Sequence, residues 1–391
     1  MTVSPKADVA DLLDRVCDHV AERIDAARIA EVKRRQAAMF AGRARDVLPI
    51  IPLAETPETA GWPDFDWAEQ FYNPAASLYQ QLKDEVLPRL AGGGDCLPAV
   101  RPDTGVINCM TVFGAAYDVP AHTRPVITRY VPKDDLVAFE PPDDVSDLGC
   151  IPTMREHAAH HRQVLQDRGL WEHVRLAHCD VQGPWDIAAQ ARGHDLFMDL
   201  YEDPDFVQAL LAKCAAVCVA VTRLCKTFDP SPVAGGAGSY FWMDSGVVRL
   251  CDDSGILISA DQHRTFAAPY MERALDDLGG GWIHYCGGMP DTGRKEGLHL
   301  HEVYAGIDGC RGLNWTTGGD WLAEMRRLHG LGLCHVGTLS RDDGEPLDAY
   351  FRRALSVYPD RTGLIFDGPD LRPGEADRAV ALWRDLQEDG T

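Results

Sequence analysis

The chain has 391 residues, 45% of them hydrophobic and 25% charged, an ordinary globular balance with enough length for one large core. Asp and Glu outnumber Lys and Arg by 60 to 38, and the net charge of -22 repels phosphate backbones, which excludes nucleic acid as a partner. The acidity is spread along the chain and forms no tail, so it reads as a solvated surface.

Met1 to Ala10 is polar and holds no secretory leader, and no run of about 18 apolar residues appears, so no membrane span is expected. The 12 cysteines include Cys214, Cys218 and Cys225 on one helical face and read as small buried hydrophobes in a reducing compartment. A cytoplasmic protein is expected. Residues 8–40 carry Leu12, Leu13, Val16, Val20, Ile24, Ala27 and Ile29 at helical spacing and predict one or two helices. Val47 to Leu53 is an apolar, strand-like run with prolines at its margins. An irregular stretch follows, with one helix near 74–91.

From there the pattern alternates short apolar strand, loop and amphipathic helix. The predicted strands are 105–112, 176–182, 255–258, 281–286, 310–316, 331–337 and 362–367. Asp203 to Lys226 and Ala260 to Leu278 are well-punctuated helices, the second capped by Ser259 and stopped by Gly279. About eight such units predict a closed (β/α)8 barrel, and no glycine-rich dinucleotide fingerprint argues for an open sheet. Residues 1–45 are read as an N-terminal helical extension and residues 46–391 as one barrel domain.

Barrel enzymes place their chemistry at the C-terminal ends of strands. That rule selects Asp180 and Gln182 on one strand, His284 and Cys286 on another, Asn314, Trp315 and Thr316 on a third, Cys334 and His335 on a fourth, and Asp367 on the last. His284 and Cys286 stand out. Residues i and i+2 of a strand face the same side, and imidazole nitrogen and thiolate sulfur are ligands that Zn(II) favours. Asp253, in Asp252-Asp253-Ser254-Gly255, is a pocket carboxylate or a turn residue, and Asp244 is a weaker candidate of the same kind. His157, His160 and His161 read as solvated surface histidines, and His299 and His301 as residues near the barrel mouth. Gln182-Gly183-Pro184-Trp185 reads as a structural turn into a helix, with Gln182 facing the pocket. No serine-nucleophile elbow and no phosphate-cradling loop is present.

These residues together resemble the uroporphyrinogen decarboxylase superfamily, which includes corrinoid- and thiol-directed methyltransferases. The resemblance runs from about residue 160 to the C-terminus and more weakly back to residue 40. It is carried by Gln182 to Ala188 with Arg192-Gly193, Glu202-Asp203-Pro204, Asp252 to Gly255, Ile258-Ser259-Ala260 with Pro269-Tyr270, His284 to Gly287, and Gly312 to Thr316. It implies a TIM barrel and, through His-x-Cys, a zinc site at which a bound thiolate attacks a methyl group.

The implied roles are His284 and Cys286 as metal ligands, Asp253, Asp180 and Asn314 as catalytic or orienting groups, and Gln182, Trp315 and Asp244 as substrate contacts. The family's third ligand is a cysteine at the end of the last strand, which here reads Thr362 to Gly368 and has none. Cys334 is the preferred substitute, with Cys310 and Asp367 as the others. The expected partners are a small molecule and, if cobalamin is used, a corrinoid carried by a separate protein; the expected state is a monomer or homodimer. The alternative is a metal-free decarboxylase acting on a tetrapyrrole or related carboxylate, in which Asp253 or Asp180 polarises the ring. The arginine-rich signature of that branch is not seen near the first strand. A third reading is a non-catalytic barrel that binds a tetrapyrrole.

Overall fold

The computed structural model describes residues 8–229, 236–238, 240–246, 248–286, 297–315 and 321–388. Thr316, Gly287 and Gly288 lie outside them. Eight parallel strands close into the expected TIM barrel: β1 (Ile50–Ile51), β2 (Ala99–Val100), β3 (Arg175–Leu176), β4 (Val248–Cys251), β5 (Gly281–Tyr285), β6 (Cys310–Trp315), β7 (Cys334–Gly337) and β8 (Leu364–Asp367). Strands β4 to β8 and β1 form one continuous sheet, and β2 pairs with β3.

Two seams complete the ring. Between β3 and β4, Cys251 N donates to Val181 O at 3.2 Å and Gly183 N to Cys251 O at 2.6 Å. Between β1 and β2, Asp95 N donates to Ile50 O at 2.6 Å, and the Asp95 carboxylate accepts from Ile50 N at 3.1 Å. Strand β3 is shorter than predicted because a side chain replaces part of its ladder. Arg249 N donates to His178 Nε2 at 3.1 Å, and His178 Nδ1 lies 2.6 Å from Cys179 O.

Two other predicted strands are corrected. Residues 105–112 form a turn and the helix Asn108–Val112, fastened by Thr111 Oγ1 donating to Asn108 O at 2.8 Å. Residues 255–258 hold a single 3-10 turn with Leu257 exposed, and the strand of that unit lies upstream at β4. A short apolar run has the same composition whether it becomes a strand or a buried turn, so only its packing decides.

The helices predicted over 8–40, 74–91, 203–226 and 260–278 form. α1 (Val9–Arg23) and α2 (Ala26–Phe40) start at Asp8 and Asp25, whose carboxylates accept from Ala10 N and Arg28 N at 3.0 Å each. The helix near 74–91 runs from Pro74 to Ala91 with a wide turn at Leu82–Val86. Ser259 caps the segment leading to the helix Ala268–Asp277. The helix Pro204–Lys226 is long and apolar enough to cross a membrane by composition, but 61% of that window is buried inside the fold, with Cys214, Cys218 and Cys225 in the core.

The N-terminal end of the barrel is plugged. Phe40 at the end of α2 and Phe241 from the hairpin Gly236–Gly238/Phe241–Met243 pack with Trp282, Cys334 and Met243. Gly312 makes room for this: a Cβ there would lie 2.7 Å from Cys334 O and 3.2 Å from the Phe40 ring. The strand ends that carry chemistry in barrel enzymes lie at the opposite, C-terminal end.

Candidate active site at the barrel mouth

Register places the inward side chains in layers. Arg249 is level with Trp282, and Cys251 with His284. Asn314 is level with His284, and Gln182 bridges to Cys251. His284 thus stands one layer above the plug, beside the strand ends that carry Asp253 and Cys286.

There the three groups meet. His284 Nε2 lies 3.2 Å from Cys286 Sγ and 3.9 Å from Asp253 Oδ1, and one ligand atom from each of the three falls within 4.8 Å of the others. Cys286 N donates to Asp253 Oδ1 at 2.5 Å, which ties the β4 loop to the end of β5. The Asp253 turn is itself held by Asp186 from the helix Pro184–Arg192. The Asp186 carboxylate accepts from Asp253 N and Ser254 N at 2.7 Å each, and from Ser254 Oγ. Gly183 lets that helix start against β4, since a Cβ there would meet Cys251 O at 2.7 Å.

Burial and then the Arg249 charge push the His284 imidazole down to about 3, so it is neutral at any ordinary pH. Burial raises the Asp253 carboxyl, against the Cys286 N–H that lowers it. The edges of a tetrahedral zinc site with nitrogen, sulfur and oxygen ligands are about 3.4–3.6 Å long. The observed 3.2 and 3.9 Å fall on either side of that range and the remaining pair lies within 4.8 Å, so the donor set suits a zinc ion after small side-chain shifts.

Several sequence assignments are corrected here. Cys334 is not the third ligand. It sits in the floor layer level with Gly312, is 1% exposed, and burial drives its thiol well up. Asp253 is the group that lies beside His284 and Cys286. Cys310 starts β6 at the floor end, and Asp367 is half-buried near Arg89; neither is part of the cluster. Trp315 does not wall the pocket. It follows inward Asn314, so it points outward, stacked on Trp321 and His335 with centroids 5.3 and 4.5 Å away. Asp244 precedes β4 at the floor, exposed and 3.6 Å from Arg43, beside a cavity of ≈ 370 Å³ that also touches Cys310 and Arg311.

Asp180 is inside the barrel but one layer too deep, level with Arg249. Arg249 Nη1 reaches its Oδ1 at 2.6 Å and Arg101 Nη1 its Oδ2 at 3.4 Å. Burial raises this carboxyl, but the Arg249 and Arg101 charges outweigh it and hold the group well below the usual carboxylate range. Asp180 is therefore a permanent anion and no proton donor. Gln182 does sit in the His284 layer, and its Nε2 is buried without a hydrogen-bond partner among the described residues.

His157 and His161 are not on the surface: both are buried, with Nε2 3.0 and 3.2 Å from Phe71 O and Pro74 O. His301 is buried behind the wall, 2.6 Å from Tyr285 OH. The sequence reading missed Asp186, Arg101 and Arg249. Asp186 lies in a motif taken as a simple turn, and the two arginines come from strands that the predicted boundaries left out.

A closed barrel whose successive strand ends bring His284, Cys286 and Asp253 to its C-terminal mouth is a (β/α)8 protein with a candidate metal centre. The chain belongs to the uroporphyrinogen decarboxylase family: the profile of that family, Uroporphyrinogen decarboxylase (URO-D), matches residues 104–339, more than half of the 391. A solved structure described as a methyltransferase from Methanosarcina mazei superposes with a TM-score of 0.64 over 90% of this chain and 98% of its own, at 17% sequence identity. At that identity the likeness is one of fold. No curated protein sequence matches.

Proposed function

We propose that this protein is a zinc-dependent methyltransferase that moves a methyl group between a methylated small molecule or corrinoid and a thiol. The observation that supports the reading is the convergence of His284 Nε2, Cys286 Sγ and the Asp253 carboxylate at the C-terminal strand ends. These three would hold the zinc, which when bound keeps a substrate thiol deprotonated and so nucleophilic.

The chain's own groups prepare that chemistry. His284 offers a neutral nitrogen because it stays unprotonated. A thiolate from Cys286 and a carboxylate from Asp253 bring two negative charges, which balance a divalent ion and favour attack by an incoming thiolate. Gln182 presents an unsatisfied amide N–H₂ in the same layer and would bind an acceptor oxygen of the substrate. A corrinoid, where it carries the methyl group, arrives on a separate protein.

The decarboxylase reading has less support. Arg101 and Arg249 are already committed to Asp103 and Asp180, so these guanidiniums are not available to a polycarboxylate ring. Metal analysis of untagged protein tests the proposal. One zinc per chain is expected, lost in Cys286→Ser and kept in Cys334→Ser. Wild-type protein that stays metal-free in zinc-containing buffer, or zinc retained in Cys286→Ser, overturns it.

A further inference from the structure

Asn314 is the residue on β6 level with His284 on β5. Its two amide ends do different work. Nδ2 contacts Val336 O of β7, and Oδ1 contacts His284 Nδ1. A backbone carbonyl can only accept, so the end of the amide facing Val336 must be the N–H₂. That leaves the carbonyl oxygen facing His284, and an oxygen can be met there only by an N–H. His284 must carry its proton on Nδ1, which leaves the Nε2 lone pair aimed at Cys286 and Asp253.

We propose that Asn314 is a positioning residue that selects the Nδ1–H tautomer of His284, with the Val336 carbonyl as the fixed reference that orients the amide. The purpose rests on the zinc reading above, because a metal ligand needs an unprotonated Nε2; the geometry does not. Both ends of the Asn314 amide are engaged in this task, which gives the residue a role beside the substrate contact expected from the sequence. The relay crosses three strands and is anchored at a ladder position of β7. A free imidazole exchanges its proton between the two nitrogens, and the wrong tautomer would point an N–H at the metal position.

The test is long-range ¹H–¹⁵N correlation on metal-free protein labelled at the histidine rings, with the His284 signals assigned by their loss in His284→Gln. Wild type should show a pyrrole-like Nδ1 and a pyridine-like Nε2. Asn314→Asp keeps an oxygen acceptor and should keep that tautomer. Asn314→Leu should lose it and weaken Co(II) binding, read from the thiolate-to-cobalt absorption band, by about 10–100-fold. A wild-type proton on Nε2, or an Asn314→Leu variant with unchanged tautomer and unchanged Co(II) affinity, overturns the proposal. Should Asn314→Leu fail to fold, Asn314→Ala, which also removes the acceptor, takes its place with the same expected loss and the same overturning result. Wild type with the expected tautomer but no Co(II) binding would refute the zinc reading alone and leave the positioning role intact.

Discussion

The two ends of this barrel use the same strands for opposite purposes. On β5, Trp282 and His284 face the same side two residues apart. Trp282 is 2% exposed and meets Phe241 edge to face, with centroids 5.6 Å apart, under a plug that α2 completes with Phe40. His284 faces polar partners from both neighbouring strands. The same holds for sulfur. Cys334 in the floor layer is sealed and its thiol is driven up by burial, while Cys286 at the mouth is exposed. One layer of a barrel, about 6.6 Å along a strand, separates packing from chemistry.

The largest effect should come from the mouth. His284→Ala should abolish stoichiometric zinc while the chain stays folded; a variant that retains one zinc per chain would move the centre elsewhere. At the floor, Trp282→Ala should cost about 3–5 kcal/mol of stability, read as a lower urea midpoint, and leave zinc content unchanged in the folded fraction. If zinc fell as well, the two ends would not be independent.

A third prediction contrasts the working side of the mouth with its β7–β8 side, where Glu375 is locked to Arg341, accepts from Arg372 N at 3.0 Å, and lies 3.2 Å from Arg378. The hydrogen bonds from Arg341 hold the Glu375 carboxyl at about 2. Its folded value is depressed, so the stabilisation is present above the unfolded value of about 4.3 and is lost as pH falls toward 2; it amounts to about 3 kcal/mol at most. Glu375→Gln should lower the urea midpoint at pH 7, with the gap narrowing below about pH 4 and closing only near pH 2. Parallel curves across that range would break the assignment.

The smallest effect belongs to the support of the metal site. Asp186→Asn replaces one of the two oxygens that grip the Asp253 turn and should weaken Co(II) binding by about tenfold, about 1.4 kcal/mol, with little change in the tautomer of His284. Unchanged affinity would show that Cys286 N–H alone positions Asp253.

Much of this was legible in the chain. The helix start at Ser259 is a local signal, because a hydroxyl caps only its own first turn. His284 and Cys286 share a side because any strand alternates, so their meeting needed no tertiary information. The barrel itself followed from repeated strand–helix alternation.

What the local pattern did not contain was depth and ring position. Cys334 and Asp253 are both plausible ligands by type, and only strand register puts one in the floor and the other at the mouth. Trp315 and Asn314 are adjacent, and which of them faces inward depends on pairing with β5. Asp186 reaches the site across a neighbouring loop, 67 positions from the backbone N–H it holds. Residue chemistry and periodicity are properties of a segment, so sequence alone determines them. Convergence is a property of how eight strands close on one another, and only the folded ring decides it.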